Sequence, residues 1–320
     1  MKEKAISCIY LYTWGGFFMQ SFIFDYYGYN ANIENNEFEY EGYKFLLLSV
    51  EDDEKDIIKL NDLVNSLNIH FNSDVVFIVK NKYDKYISTS KDNNNICLLT
   101  YKIDNQININ DFVKMHLSYF NYFSYKINIQ QIIDLWDQRI EYIENQCLTN
   151  FNFDNDAHLT LYEYTLYSIG LAINSLQYLA DMNLDFKRKY SSTLTHRRIK
   201  KMDKYELFNP FNLIVDHSSR DLAELYKNDI ISLDTLLNIC AFYSYSVDEY
   251  EYLLARLLFP TFIFDIVEDM ENDKSSYDYT SDIYYAIAKS NSQLDKLKSL
   301  YNALISKMNI RPINWISNIL

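Results

Sequence analysis

Two aspartates, a histidine and several arginines fall close together in the second half of this 320-residue chain, in an order suited to metal or proton chemistry. The run Thr193, Leu194, Thr195, His196, Arg197, Arg198, Ile199 is followed by Asp203 and then by Leu213, Ile214, Val215, Asp216. An apolar run ending in an acid is how a buried strand delivers a carboxylate to a cleft. Asp203 and Asp216 together could hold a divalent ion, since two carboxylates completed by water suit magnesium. The structural alternative is that Asp216 pairs with Arg197, Arg198 or Arg220 and locks the loop. Asp221 precedes Leu222, Ala223, Glu224 and Leu225, a stretch of helix-forming composition, where its carboxylate is expected to cap backbone N–H groups. His196, His217 and Asp221 are expected to brace the loop by hydrogen bonds. Arg220 joins Asp221 as a structural residue.

The elements that would position these groups can be read from apolar spacing. Phe17–Tyr27 is an apolar, aromatic segment ending at Gly28, a natural helix stop. Phe38–Val50 reads as two strands turning near Glu41 and Gly42. Glu51–Leu67 carries Ile57, Leu60, Val64 and Leu67 at helical spacing. Three short strand-like runs, Val75–Val79, Lys85–Thr89 and Ile96–Ile103, are expected to form a meander. The remainder reads as helical: Ile109–Tyr122, Ile129–Asn145, Leu159–Leu179, Ile231–Tyr243, Val247–Met270 broken or kinked at Pro260, and Ser281–Met308. Leu159–Leu179 is apolar on most sides, which predicts a place at the centre of the helical part. The boundary between the strand-rich and helical parts is drawn near Asp104, giving 1–104 and 105–320.

Bulk numbers exclude several classes. A formal charge of −14 argues against nucleic-acid or anionic-membrane partners. The four cysteines are scattered without a Cys-x-x-Cys pair or a nearby histidine cluster, so neither a zinc site nor a disulfide framework is indicated. The uncharged run Ala5–Phe24 is interrupted by Ser7, Tyr10, Thr13, Gly15, Gly16, Gln20 and Ser21, so it reads as part of the folded domain and not as a leader or a membrane span. Asp52, Asp53 and Asp56 have the spacing of a diphosphate-binding motif, but acids at that point suit the start of a helix. Tyrosine is abundant, 30 residues, and gives rigid amphipathic contact area; an AT-rich genome would enrich it as well.

The order His196, Asp203, Asp216, Asp221 resembles the catalytic half of kinase-like phosphotransferases of the aminoglycoside and choline kinase type. That resemblance implies an α+β, two-lobed, protein-kinase-like fold, with a small β-rich lobe and a larger helical one. It also puts Arg198 where the catalytic Asp belongs, Asp203 at the metal-binding Asn and Asp216 at the metal-binding Asp. A guanidinium stays protonated and cannot accept the substrate's proton, so a pseudokinase is expected. No Gly-x-Gly-x-x-Gly flap is present, and Lys44 stands only at the beginning of its strand, with Glu51 or Glu54 as helix acids that could pair with it.

A closer resemblance rests on phrases taken together: Asp25–Gly28, Leu135–Ile140, Tyr167–Tyr178, Asp216–Glu224 and Ala255–Pro260. They are similar to the spore-coat proteins of the YutH and CotS kind, over about Asp25 to Glu268. Membership implies a structural protein synthesised in the mother cell during sporulation, located in the spore coat, with other coat proteins as partners. The alternatives are an active small-molecule phosphotransferase using ATP and magnesium, with Asp203 as a displaced base, or a nucleotide-sensing scaffold.

Overall fold

A computed structural model describes residues 16–72, 74–103, 106–120, 122, 126–149, 155–186, 189–272 and 277–317. By its internal contacts the chain divides into two units. One runs as far as Ser118 and takes in Met202–Ile214; the other comprises Tyr119–Lys201 and Val215–Leu320.

The first unit begins with helix α1 (Gly16–Tyr27), stopped at Gly28, whose φ of +79° is left-handed and whose N–H reaches back to the carbonyls of Ile23 and Phe24. Strands β1 (Glu37–Tyr40) and β2 (Tyr43–Ser49) form the expected hairpin. Glu41 and Gly42, at φ 50° and 80°, make the two-residue turn whose twist matches the flanking strands. Helix α2 (Glu54–Phe71) starts at Asp53, which accepts from the N–H groups of Lys55 and Asp56, and it buries Ile57, Val64, Leu67 and Phe71. The acidic run at 52–56 is therefore a helix start, as its position suggested.

Strands β3 (Phe77–Val79), β4 (Ile87–Thr89) and β5 (Asn95–Lys102) depart from the expected meander. The sheet order is β1-β2-β5-β3, and β4 also pairs with β5. Phe77–Val79 pair with Thr100–Leu98 and Ile87–Thr89 with Cys97–Asn95, so β3 and β4 lie end to end along one edge of β5. Asn81 spans the turn between them. Its amide donates to the Ile87 carbonyl and to Ser88, and its carbonyl accepts from the Tyr83 and Lys85 N–H groups. Under the sheet, Phe22 and Ile23 of α1 pack with Phe38, Phe45, Leu47, Ile96 and Leu98. The Phe38 and Phe45 rings stack with centroids 4.7 Å apart.

After α3 (Ile109–Tyr119) come β6 (Lys126–Asn128), α4 (Ile129–Thr149), α5 (Asp156–Phe186), β7 (Lys189–Ser191) and β8 (Thr193–His196). Next are α6 (Lys204–Phe208), β9 (Leu213–Asp216), α7 (Ser219–Lys227), α8 (Leu233–Phe242), α9 (Val247–Leu258), α10 (Thr261–Asn272), α11 (Thr280–Ile305) and α12 (Asn314–Ser317). β6 and β7 pair antiparallel. The Pro260 break falls as expected, between α9 and α10. The core of the second unit gathers Ile140 and Ile143 of α4, Leu161 and Ile169 of α5, Ile263 and Phe264 of α10, and Ile283 of α11. α5 packs against α4, α9, α10 and α11, as its composition suggested, but leaves one face with Leu159, Leu166, Tyr167 and Ile173 exposed. Among the described residues, no helix is long and apolar enough to cross a membrane.

Candidate functional site

β9 carries Asp216 into the interior of the second unit, where the residue is 4% exposed. Its Oδ1 accepts the His217 N–H at 2.6 Å. Its Oδ2 accepts from Arg220 Nη1 at 2.9 Å and from Arg256 Nη2 at 2.8 Å. Burial alone would push this carboxyl up. The guanidiniums of Arg256 and Arg220 outweigh that and hold it below its ordinary value. Arg220 is one turn along α7 and was among the partners expected; Arg256, on α9, was not. Arg256 Nη2 also donates to the Tyr252 hydroxyl at 2.6 Å, and its guanidinium lies 4.7 Å from the centre of that ring. A lone cation among Leu253, Leu254, Ala255, Leu257 and Leu258 is the sequence signal that marked it, because a buried charge requires a partner.

Arg198 follows β8 and turns to α10. Its Nε donates to Asp265 Oδ2 at 3.0 Å and its Nη2 to Oδ1 at 2.9 Å, a two-pronged pair. Arg139 of α4 donates to the same Asp265 at 2.7 Å and, through Nε and Nη2, to Glu268 at 2.7 Å. The result is a ladder of alternating sign, Arg198–Asp265–Arg139–Glu268. Burial disfavours the charges of Asp265 and Arg198, but the facing charges win. Asp265 is held well below the usual carboxylate range, and Arg198 keeps its proton more tightly than an ordinary arginine. Neither Asp265 nor Arg139 was foreseen, since 67 residues separate Arg198 from Asp265 in sequence. Lys227, also buried, is pushed down to about 8 by desolvation although it donates to the Phe259 carbonyl at 3.2 Å.

His196 and Asp221 are both fully buried. Asp221 accepts the His196 N–H at 2.9 Å and faces its Nδ1 at 2.8 Å, so Nδ1 carries the ring proton. Asp221 thus ties β8 to the first turn of α7, whose N-cap is Ser218. His217 has the opposite tautomer. Its Nδ1 accepts from the Ser219 N–H at 3.2 Å, which leaves Nε2–H to donate to Glu249 at 3.1 Å. Glu249 also accepts from the N–H and hydroxyl of Ser246 at 2.8 and 2.7 Å, closing a capping box on α9. Burial would raise the Glu249 carboxyl, but these donors bring it down to about 2. A depressed carboxyl contributes stability above its unfolded value, 4.5, and loses it as pH falls toward 2. Glu249→Gln should therefore flatten the acid limb of an unfolding-versus-pH curve between those two values, measured by circular dichroism.

Asp203 belongs to the first unit and Asp216 to the second. The Asp203 carboxylate is the N-cap of α6, accepting the Glu206 N–H at 2.8 Å. Among the described residues, no group of three or more His, Cys, Asp or Glu is arranged to hold a metal ion. Lys44 pairs with Glu37 on the neighbouring strand at 2.8 Å. Glu54, one of the helix acids considered for it, accepts the Tyr86 and Ile87 N–H groups at 2.7 and 3.0 Å instead.

A small antiparallel sheet accompanied by α1 and α2, followed by a mainly helical part with the order His196, Asp216, Asp221, is the arrangement of a kinase-like fold. The chain is similar to the aminoglycoside phosphotransferase from Alicyclobacillus acidocaldarius, with a TM-score of 0.58 and 11% identity over 86% of this chain and 92% of that one. It is also similar to spectinomycin phosphotransferase in complex with ADP and spectinomycin, with a TM-score of 0.51 and 11% identity over 89% and 93% of the two chains. At such identities the likeness defines the fold. Residues 20–300 match the family described as "Spore coat putative kinase YutH", and the chain belongs to that family. It is 27% identical over 215 residues to the endospore coat-associated protein YutH of Bacillus subtilis. That match covers 59% of this chain and 62% of the relative's length.

Proposed function

We propose that this chain is a catalytically inert, kinase-like component of the endospore coat, working through contacts with other coat proteins. The coat assignment rests on the family and on the name of its Bacillus subtilis relative. The observation that carries the inert reading is the pairing of Asp216: its Oδ2 accepts from two guanidiniums and its Oδ1 from a backbone N–H. A magnesium ion there would lie beside Arg220 and Arg256, and two cations at a metal position oppose its binding. Arg198 supports the same reading, because it stands at the place of the base and is locked to Asp265. Asp265 offers no substitute base. Its oxygens already accept three hydrogen bonds from Arg198 and Arg139.

A thermal-shift titration with ATP and magnesium tests the reading. No stabilisation is expected at nucleotide concentrations that would saturate a kinase. A ligand at a hundred times its Kd would add about 2.7 kcal/mol, which is readily seen. Stabilisation without phosphate release would point to a nucleotide-sensing scaffold. Stabilisation with release would point to a working phosphotransferase, with Asp203 the first acid to replace.

A further inference from the structure

The exposed face of α5 has a pattern that the fold leaves unused. Leu159, Leu166 and Ile173 recur every seven residues and are 47%, 47% and 52% exposed. With Glu163, Gly170 and Gln177 they make a single stripe, all exposed, with steps of four and three residues alternating along the helix. That is the positional spacing of a coiled-coil seam, with apolar side chains at every second seam position and Glu163, Gly170 and Gln177 between them. Glu163 is its one charge, on a chain whose formal charge is −14, and depletion of charge marks the core of protein interfaces.

Gly170 needs an explanation of its own. A glycine inside a helix costs about 1 kcal/mol relative to alanine, and a Cβ added there would meet nothing within 4 Å. Nothing in the fold requires the missing side chain. The spacing of the stripe supplies a reason, because it reads the same in both directions. Laid antiparallel on a copy of itself, Leu166 faces Gly170, Glu163 faces Ile173, and Leu159 faces Gln177. The leucine of each copy then fills the space beside the glycine of the other. The two Glu163 carboxylates would be offset by ten residues, about 15 Å along the axis, beyond a screening length of about 8 Å in physiological salt. A parallel pairing would do the reverse, setting Glu163 against Glu163 and leaving a gap between the glycines.

We infer that two copies of this chain associate through α5, antiparallel about a two-fold axis near Ser168. An isologous contact of this kind uses each residue twice, so a short stripe builds a closed dimer. Sedimentation equilibrium on the full chain is expected to give about twice the 38.2 kDa chain mass. Gly170→Leu, which the single chain has room for, should reduce it to one chain mass with the circular dichroism unchanged, as should Leu166→Glu. The double variant Leu166→Cys with Gly170→Cys should form a disulfide-linked dimer on oxidation, while neither single variant does. A wild-type monomer at the highest soluble concentration, or a dimer that survives Gly170→Leu, overturns the inference. Cross-linking by Leu166→Cys alone would indicate a parallel arrangement and overturn it as well.

Discussion

Asp216→Ala is expected to destabilise the second unit by about 3–5 kcal/mol, the usual cost of removing one partner of a buried ion pair. Arg256 is nearly as buried as the carboxylate it serves, at 9% and 5% side-chain exposure. Without Asp216, two guanidiniums would face each other with no counter-charge, and the His217 N–H would lose its acceptor. Urea unfolding followed by circular dichroism should show a lower midpoint with an unchanged slope. Adding Arg256→Met to the same chain should recover part of the loss, because the stranded cation is then gone. A variant as stable as the wild type would contradict the structural role given to Asp216.

Arg198→Asp puts an acid where the proposed function sets the silenced base, and its expected effect is loss of stability without gain of activity. The new carboxylate would meet Asp265, which would keep only Arg139 of its two guanidiniums. A loss of about 2–3 kcal/mol at neutral pH is expected from the lost charge-assisted hydrogen bonds of this half-buried pair and the like charges together. The pH dependence has a defined sign. One member of the new acid pair would have a folded pKa above its unfolded value, so its stabilising contribution is present at low pH and is lost as pH rises through the raised value. The variant's deficit should therefore shrink on acidification. ATP hydrolysis by a fully folded Arg198→Asp protein would mean that Arg198 alone had silenced an otherwise complete site.

Local chemistry made much of this molecule legible in its sequence. The hairpin at Glu41–Gly42, the helix start at Asp53, the break at Pro260 and the strand ending in Asp216 each depend on a few adjacent residues, and each stands where it was read. Of the three arginines read as partners for Asp216, the structure pairs it with Arg220, one turn away on α7. What could not be read were partners brought together by packing. Asp265 and Arg139 reach Arg198 from separate helices, and no local spacing announces them. Asp221 was read as a brace of the loop, but its partner, His196 on a strand 25 residues earlier, is set by packing and not by local spacing. The exposed stripe on α5 was missed because an apolar helix looks central until its neighbours are known.

The decisive assay is transfer of labelled phosphate from ATP by the purified wild-type chain, with magnesium, to a broad set of small-molecule and protein acceptors. The account predicts no product above that of the Asp216→Asn protein. Transfer by the wild type that Asp216→Asn abolishes would contradict it.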